Sequence, residues 1–204
     1  MTYTMLYKPA GYVCARKDLE SPTVMEFFPA TERQTLFPLG RLDKYTEGLL
    51  LMTDDGKLNY RLLDPARQIE KRYLLWAVGV PDEAMCRAIR EGMVLKGLPE
   101  PTRPARIEIL TQGRISDIAP QVFPIRRPLL EENPSLPVFC AHLWLTEGKR
   151  HQVKRMLEAT GHLVVSLKRE AFAGLELDTA LSPGQSRPLT DAEIAALRAL
   201  ADLN

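Results

Sequence analysis

The chain has 204 residues, 45% hydrophobic and 26% charged, with 27 basic against 26 acidic side chains and a formal net charge of +1. That balance is ordinary for a folded globular protein, argues against disorder, and gives no bulk basicity to mark a nucleic-acid coat. No apolar run approaches the roughly 20 residues of a membrane span, and the start, MTYTMLYKPAG, lacks the basic and apolar regions of a secretory leader, so a cytoplasmic protein with no membrane partner is expected.

In chain order, YTMLYKPAGYVCA reads as a strand, a Pro-Ala-Gly turn and a second short strand. TVMEFFP is a short helix-like piece closed by Pro29. GLLLMT is too short for a helix and too apolar for an exposed strand, which predicts a buried strand. Asp54 is expected to cap a helix through DGKLNYRLLD, and KRYLLWAVGV is the next strand. PDEAMCRAIREGMVL opens with Pro81, spaces Met85, Ala88 and Ile89 helically and stops near Gly92. RPARIEIL alternates like a strand, whereas residues 119–137 carry five prolines with little periodicity and predict a long surface excursion. VFCAHLWLTEG is a strand, KRHQVKRMLEATG a helix ended by Gly161, and HLVVSLKREAF a strand. A final amphipathic helix follows, with Thr190 and Glu193 at capping-box spacing. Strands and helices in this mixture give an α+β chain.

Cys14, Cys86 and Cys140 are odd in number and far apart, and His142, His151 and His162 show no ligand pattern, so reduced thiols and no metal are expected. Charge is more informative in its distribution. Lys149, Arg150, His151, Lys154 and Arg155 crowd one short stretch, and Arg67, Lys71 and Arg72 another. On a helix through residues 149–160, Val153, Met156, Leu157 and Thr160 form a core-facing stripe while Arg150, Lys154 and Glu158 run down another face. Like charges at that spacing repel, so an anionic partner such as a nucleic-acid backbone explains them better than helix stability does.

Asp43 stands out within PLGRLDKYTEGLLLMTDDG. A carboxylate in a Gly-initiated turn often serves only the turn. Beside the permanently charged Arg41, it is also available as a nucleophile or electrostatic stabiliser. The adjacent pair Asp54 and Asp55 suggests paired-carboxylate chemistry, but an N-cap with a first-turn charge explains it better.

Five blocks in order, GRLDKYTEGLLLMTDDG, KRYLL, LTEGKRHQVKRMLEATGH, VVSLKREAFAGLELD and RPLT, resemble the RNA pseudouridine synthases, specifically the bacterial subgroup acting on single positions in ribosomal RNA. The resemblance implies a mixed, mostly antiparallel sheet of two lobes with flanking helices and a central catalytic cleft, spanning residues 1–204 as a single catalytic domain. It implies that Asp43 attacks the target uridine at the ribose C1′ or by a closely related path, after which the uracil turns and is rejoined through C5. Tyr73 matches the tyrosine that stacks on the uracil and assists C5 proton removal, and Lys154 takes the place of the Arg or Lys that pairs with the aspartate. Arg41 resembles the arginine that enters the RNA helix as the uridine leaves. Arg150, His151, Gln152 and Arg155 become substrate-binding candidates, with Leu167 at an apolar position flooring the uracil pocket. No cofactor is implied, and the partner would be ribosomal RNA, a ribosomal subunit or an assembly intermediate, bound by a monomer. Many members of the subgroup carry a small RNA-binding domain before the KPAG strand. Here that strand starts within the first ten residues, so the module is expected to be missing. The rival expectation is a non-catalytic RNA-binding or ribosome-assembly protein of the same fold, and a glycoside-cleaving enzyme lacks a convincing second acid.

Overall fold

A computed structural model describes residues 1–203. The chain divides into two compact units, Met1–Lys71 with the chain from Lys168 onward, and Arg72–Leu167.

In the first unit, strand β1 (Tyr3–Lys8) pairs antiparallel with β3 (Glu47–Thr53), which also carries the short β2 (Phe37–Leu39). Every residue of β3 from Gly48 to Thr53 is buried, as an unbroken apolar run requires when both faces are covered. Helix α1 (Gly56–Leu63) follows directly. Its cap is Asp55, whose carboxylate accepts the Leu58 N–H at 3.0 Å; the expected cap, Asp54, instead accepts the Thr2 N–H at 2.7 Å. Burial opposes ionisation of Asp55, but the bonds from the Leu58 N–H and the Tyr3 hydroxyl outweigh it and hold the carboxyl below its usual range.

The second expected N-terminal strand reduces to one bridge, Val13 to Thr23, before a single 3₁₀ turn at Val24–Phe27. The strand that closes this unit, β7 (Val164–Phe172), runs parallel to β3 at Glu47–Lys168 and Gly48–Arg169. There Gly48 sits at φ +103°, and a Cβ on it would lie 2.2 Å from the Arg169 carbonyl oxygen, so only glycine allows the approach. Beyond β7 come β8 (Leu175–Glu176), β9 (Ser186–Pro188) paired with β1, and α5 (Asp191–Leu200) with the expected Thr190–Glu193 capping box. Leu197 and Ala201 bury into a core with Met5, Leu49, Leu51, Leu58 and Phe172.

The second unit contains β4 (Lys71–Val78) from Arg72 on, α2 (Glu83–Glu91), β5 (Arg106–Arg114), α3 (Arg127–Glu132), β6 (Pro137–Leu145), α4 (Gln152–Ala159) and the first residues of β7. Its strands lie in the order β5, β6, β4, β7, with β5 and β6 antiparallel. The proline-rich segment is not the loose excursion its composition suggests. Ile115, Ile118 and Val122 are buried with Val138 and Val165 in a cluster of their own, and the Phe123 N–H bonds the Val165 carbonyl at 2.8 Å. Proline blocked a repeating helix there, so short 3₁₀ turns carry the apolar side chains and the periodicity that would have announced them is missing.

Candidate active site

The first unit holds Asp43 in a loop, residues 40–46, between β2 and β3. The Thr46 N–H closes the turn on the Asp43 carbonyl at 3.0 Å, leaving Asp43 half-buried and Arg41 exposed. The loop is clamped from beneath by Lys8, which has no exposed surface. Its Nζ donates to the carbonyls of Thr46 at 2.8 Å, Pro9 at 3.0 Å and Lys44 at 3.1 Å. A buried ammonium is tolerated only when its three donors meet acceptors, and here backbone oxygens supply them. The Gly11 N–H also bonds the Lys44 carbonyl at 2.8 Å, and the Leu42 N–H reaches the Cys14 sulfur at 3.2 Å. Burial pushes the Cys14 thiol above its usual range, so it remains a neutral acceptor. Glu47, just past the loop, is likewise shifted up by burial, against the pull of Lys8 and Lys168.

Lys8 went unremarked in the sequence, although a signal was present. In an alternating strand it shares a face with Thr4 and Leu6, which are both buried, so a lysine there has to find internal partners.

The second unit holds Tyr73, half-buried on β4, and the basic stretch around α4. That helix begins at Gln152, three residues later than the periodicity predicted, because His151 takes a left-handed conformation at φ 53°. Arg150 therefore stands in the preceding turn and does not stack above Lys154 on one helical face. The turn has its own clamp. Gln152 is buried, accepts the Lys149 N–H at 2.8 Å and donates to Glu147 at 2.6 Å. Glu147 also accepts the Arg103 N–H at 2.9 Å, while Lys149 Nζ reaches the Pro101 carbonyl at 2.7 Å. Gln152, expected to touch substrate, is thus turned inward and shapes the turn.

Arg150 and His151 are exposed, and Lys154 and Arg155 are half-buried. Arg155 donates to the Lys96 carbonyl, and Lys154 Nζ lies 5.2 Å from the Phe123 ring centroid. Val153, Met156 and Leu157 bury as the stripe predicted, and Leu167 is buried on β7. Among the described residues no group of three or more His, Cys, Asp or Glu could hold a metal ion, and no helix is long and apolar enough to cross a membrane.

The model of a family described as RNA pseudouridylate synthase matches residues 2–159. Ribosomal small subunit pseudouridine synthase A of Pasteurella multocida is 38% identical over 95% of this chain and 72% of its own length. The protein of the same name from Escherichia coli K12 is 36% identical over 96% of this chain and 73% of its own. A solved pseudouridylate synthase, 37% identical, superposes with a TM-score of 0.79 over 96% of this chain and 73% of that one. A human chain, RNA Pseudouridylate Synthase Domain Containing 1, shares the fold at 16% identity, with a TM-score of 0.56. With a family match across most of its length and relatives above one-third identity across nearly all of it, the chain belongs to the RNA pseudouridylate synthase family.

Proposed function

We propose that the protein isomerises a specific uridine of ribosomal RNA, in the small subunit, to pseudouridine, with Asp43 as its essential carboxylate. The relatives named for that substrate support the reading across about 95% of the chain. The observation that carries the assignment of Asp43 is the Lys8 clamp, because a fully buried ammonium holding two carbonyls of the loop, with a third from Pro9, is a costly way to fix a carboxylate that serves only a turn.

Asp43 attacks the ribose C1′, or acts through a closely related path. As the Asp43–C1′ bond forms the glycosidic bond to N1 breaks; the uracil turns, C5 bonds C1′ as the Asp43–C1′ bond breaks and the carboxylate is regenerated, and the proton lost from C5 is balanced by one taken up at N1. The family resemblance assigns to Tyr73 stacking on the uracil and help with that proton loss, to Lys154 the charge that partners the aspartate, and to Leu167 the floor of the base pocket. Extraction of a base from its stack costs a few kcal/mol, which stacking and an inserted Arg41 offset. Arg150, His151 and Arg155 supply phosphate contacts.

Mapping pseudouridine in ribosomal RNA from cells with and without the gene tests the substrate. One small-subunit position should lose pseudouridine and regain it with the wild-type gene. An unchanged map across ribosomal RNA would favour the non-catalytic RNA-binding reading.

A further inference from the structure

Beside the Asp43 loop, in the same unit, a cleft of about 380 Å³ is lined by Cys14, Ala15, Arg16, Pro38, Gly40, Arg41, Asn59 and Leu63. Its apolar walls come from Pro38, Ala15 and Leu63, and its charge is positive, from Arg16 and Arg41.

Asn59 and Leu63 are one turn apart on α1, and Tyr60 stands beside them, three residues before Leu63 and 75% exposed. An exposed aromatic ring on the helix that walls a cationic, partly apolar cleft offers what proteins use to hold unpaired bases, the ring stacking and the cations meeting phosphate. Arg16 is preset for the second task. Its Nη2 donates to the carbonyls of Arg33 and Gln34, which fixes the guanidinium through one nitrogen of its fork. Arg16 also lines a second cleft with Lys17, Arg33 and a single acidic residue, Glu26, so cations outnumber carboxylates there too.

Position supplies the last link. Arg41 is two residues from Asp43, a backbone distance of at most about 7 Å, which places the cleft within reach of a nucleotide next to one held at Asp43.

We propose that this cleft is a second nucleotide site, in which an unpaired base neighbouring the target uridine stacks on Tyr60 while Arg16 holds its phosphate. The proposal rests on the reading of the chain as an RNA-modifying enzyme and adds to it a source of substrate selection within this unit.

The test uses the full chain and two probes of equal length and charge, a short oligouridylate and its abasic ribose-phosphate counterpart. Tyr60→Ala should weaken oligouridylate binding by about 5- to 150-fold and leave abasic binding and the salt dependence unchanged, and Tyr60→Phe should restore the wild-type affinity. Arg16→Ala should weaken both probes alike and flatten the plot of log affinity against log salt by roughly 0.7. Equal affinity of wild type and Tyr60→Ala for oligouridylate would overturn the second site even if the enzyme makes pseudouridine. The predicted pattern from a protein that makes none would keep the site and remove the catalytic reading.

Discussion

The two basic regions of this molecule use lysine in opposite ways. Around Asp43 the decisive cation, Lys8, is fully buried and spends its hydrogen bonds on three backbone carbonyls. Around α4 the clamp is a neutral amide and a carboxylate, Gln152 and Glu147, while Arg150 and His151 face solvent and Lys149 stays partly exposed at 23%. In one region a fully buried cation builds the loop; in the other, Gln152, Glu147 and a partly exposed Lys149 build the turn and leave Arg150 and His151 in solvent for a ligand. Counting cations along a sequence cannot separate these uses, whereas burial and partners do.

The comparison predicts unequal losses. Lys8→Met should destabilise the protein by about 3–5 kcal/mol, since it strands three inward-facing carbonyls at once. Lys149→Met should cost no more than about 1 kcal/mol, as expected of a partly solvated cation. Urea midpoints with unchanged slopes measure both, and similar losses would dissolve the distinction.

A smaller effect sharpens the contrast within the first unit. Arg187 bridges Glu193 at 2.8 Å and Asp178 at 2.5 Å, tying α5 to the preceding loop. The bond from Arg187 lowers the Glu193 carboxyl to about 2, outweighing its desolvation. A carboxyl whose folded value is depressed adds stability that is present above its unfolded value and lost as pH falls through the folded one. The wild type should therefore lose about 1–2 kcal/mol between pH of about 4.5 and about 2. Glu193→Gln should lack that part of the acid loss while being less stable at neutral pH. Thermal melts across that range report it, and an identical acid profile in the variant would refute the assignment.

The smallest stability effects belong to Arg150→Ala and Arg155→Ala, each within about 0.5 kcal/mol of wild type. Their effect should fall on RNA binding, with the plot of log affinity against log salt flattened by roughly 0.7 to 0.9 per lost contact for all sequences alike. An unchanged slope would make that face merely solvated.

How much of this was legible in the sequence depended on whether local chemistry or tertiary contact set the outcome. The buried β3 announced itself through an apolar run too short for a helix, and α5 through the reciprocal Thr190–Glu193 cap. The start of α4 did not: His151 is left-handed, and the turn before it is held by the Arg103–Glu147 and Lys149–Pro101 bonds to a distant part of the sequence, which no local pattern encodes. The cluster around Ile115 and Val122 was hidden by prolines that break periodicity without preventing burial. Asp43 drew notice through its motif, yet Lys8, which holds its loop, comes from β1 and shows its purpose only once β1 and β3 are paired.

The central claim is that this well-clamped loop exists to present Asp43 for chemistry. Asp43→Asn keeps size and hydrogen-bonding capacity while removing the nucleophilic charge. A single-turnover assay with the purified variant on ribosomal RNA, alongside its melting temperature and RNA affinity, tests the claim most directly. The account predicts wild-type folding and binding with no pseudouridine formed. Appreciable pseudouridine from the folded variant would contradict it.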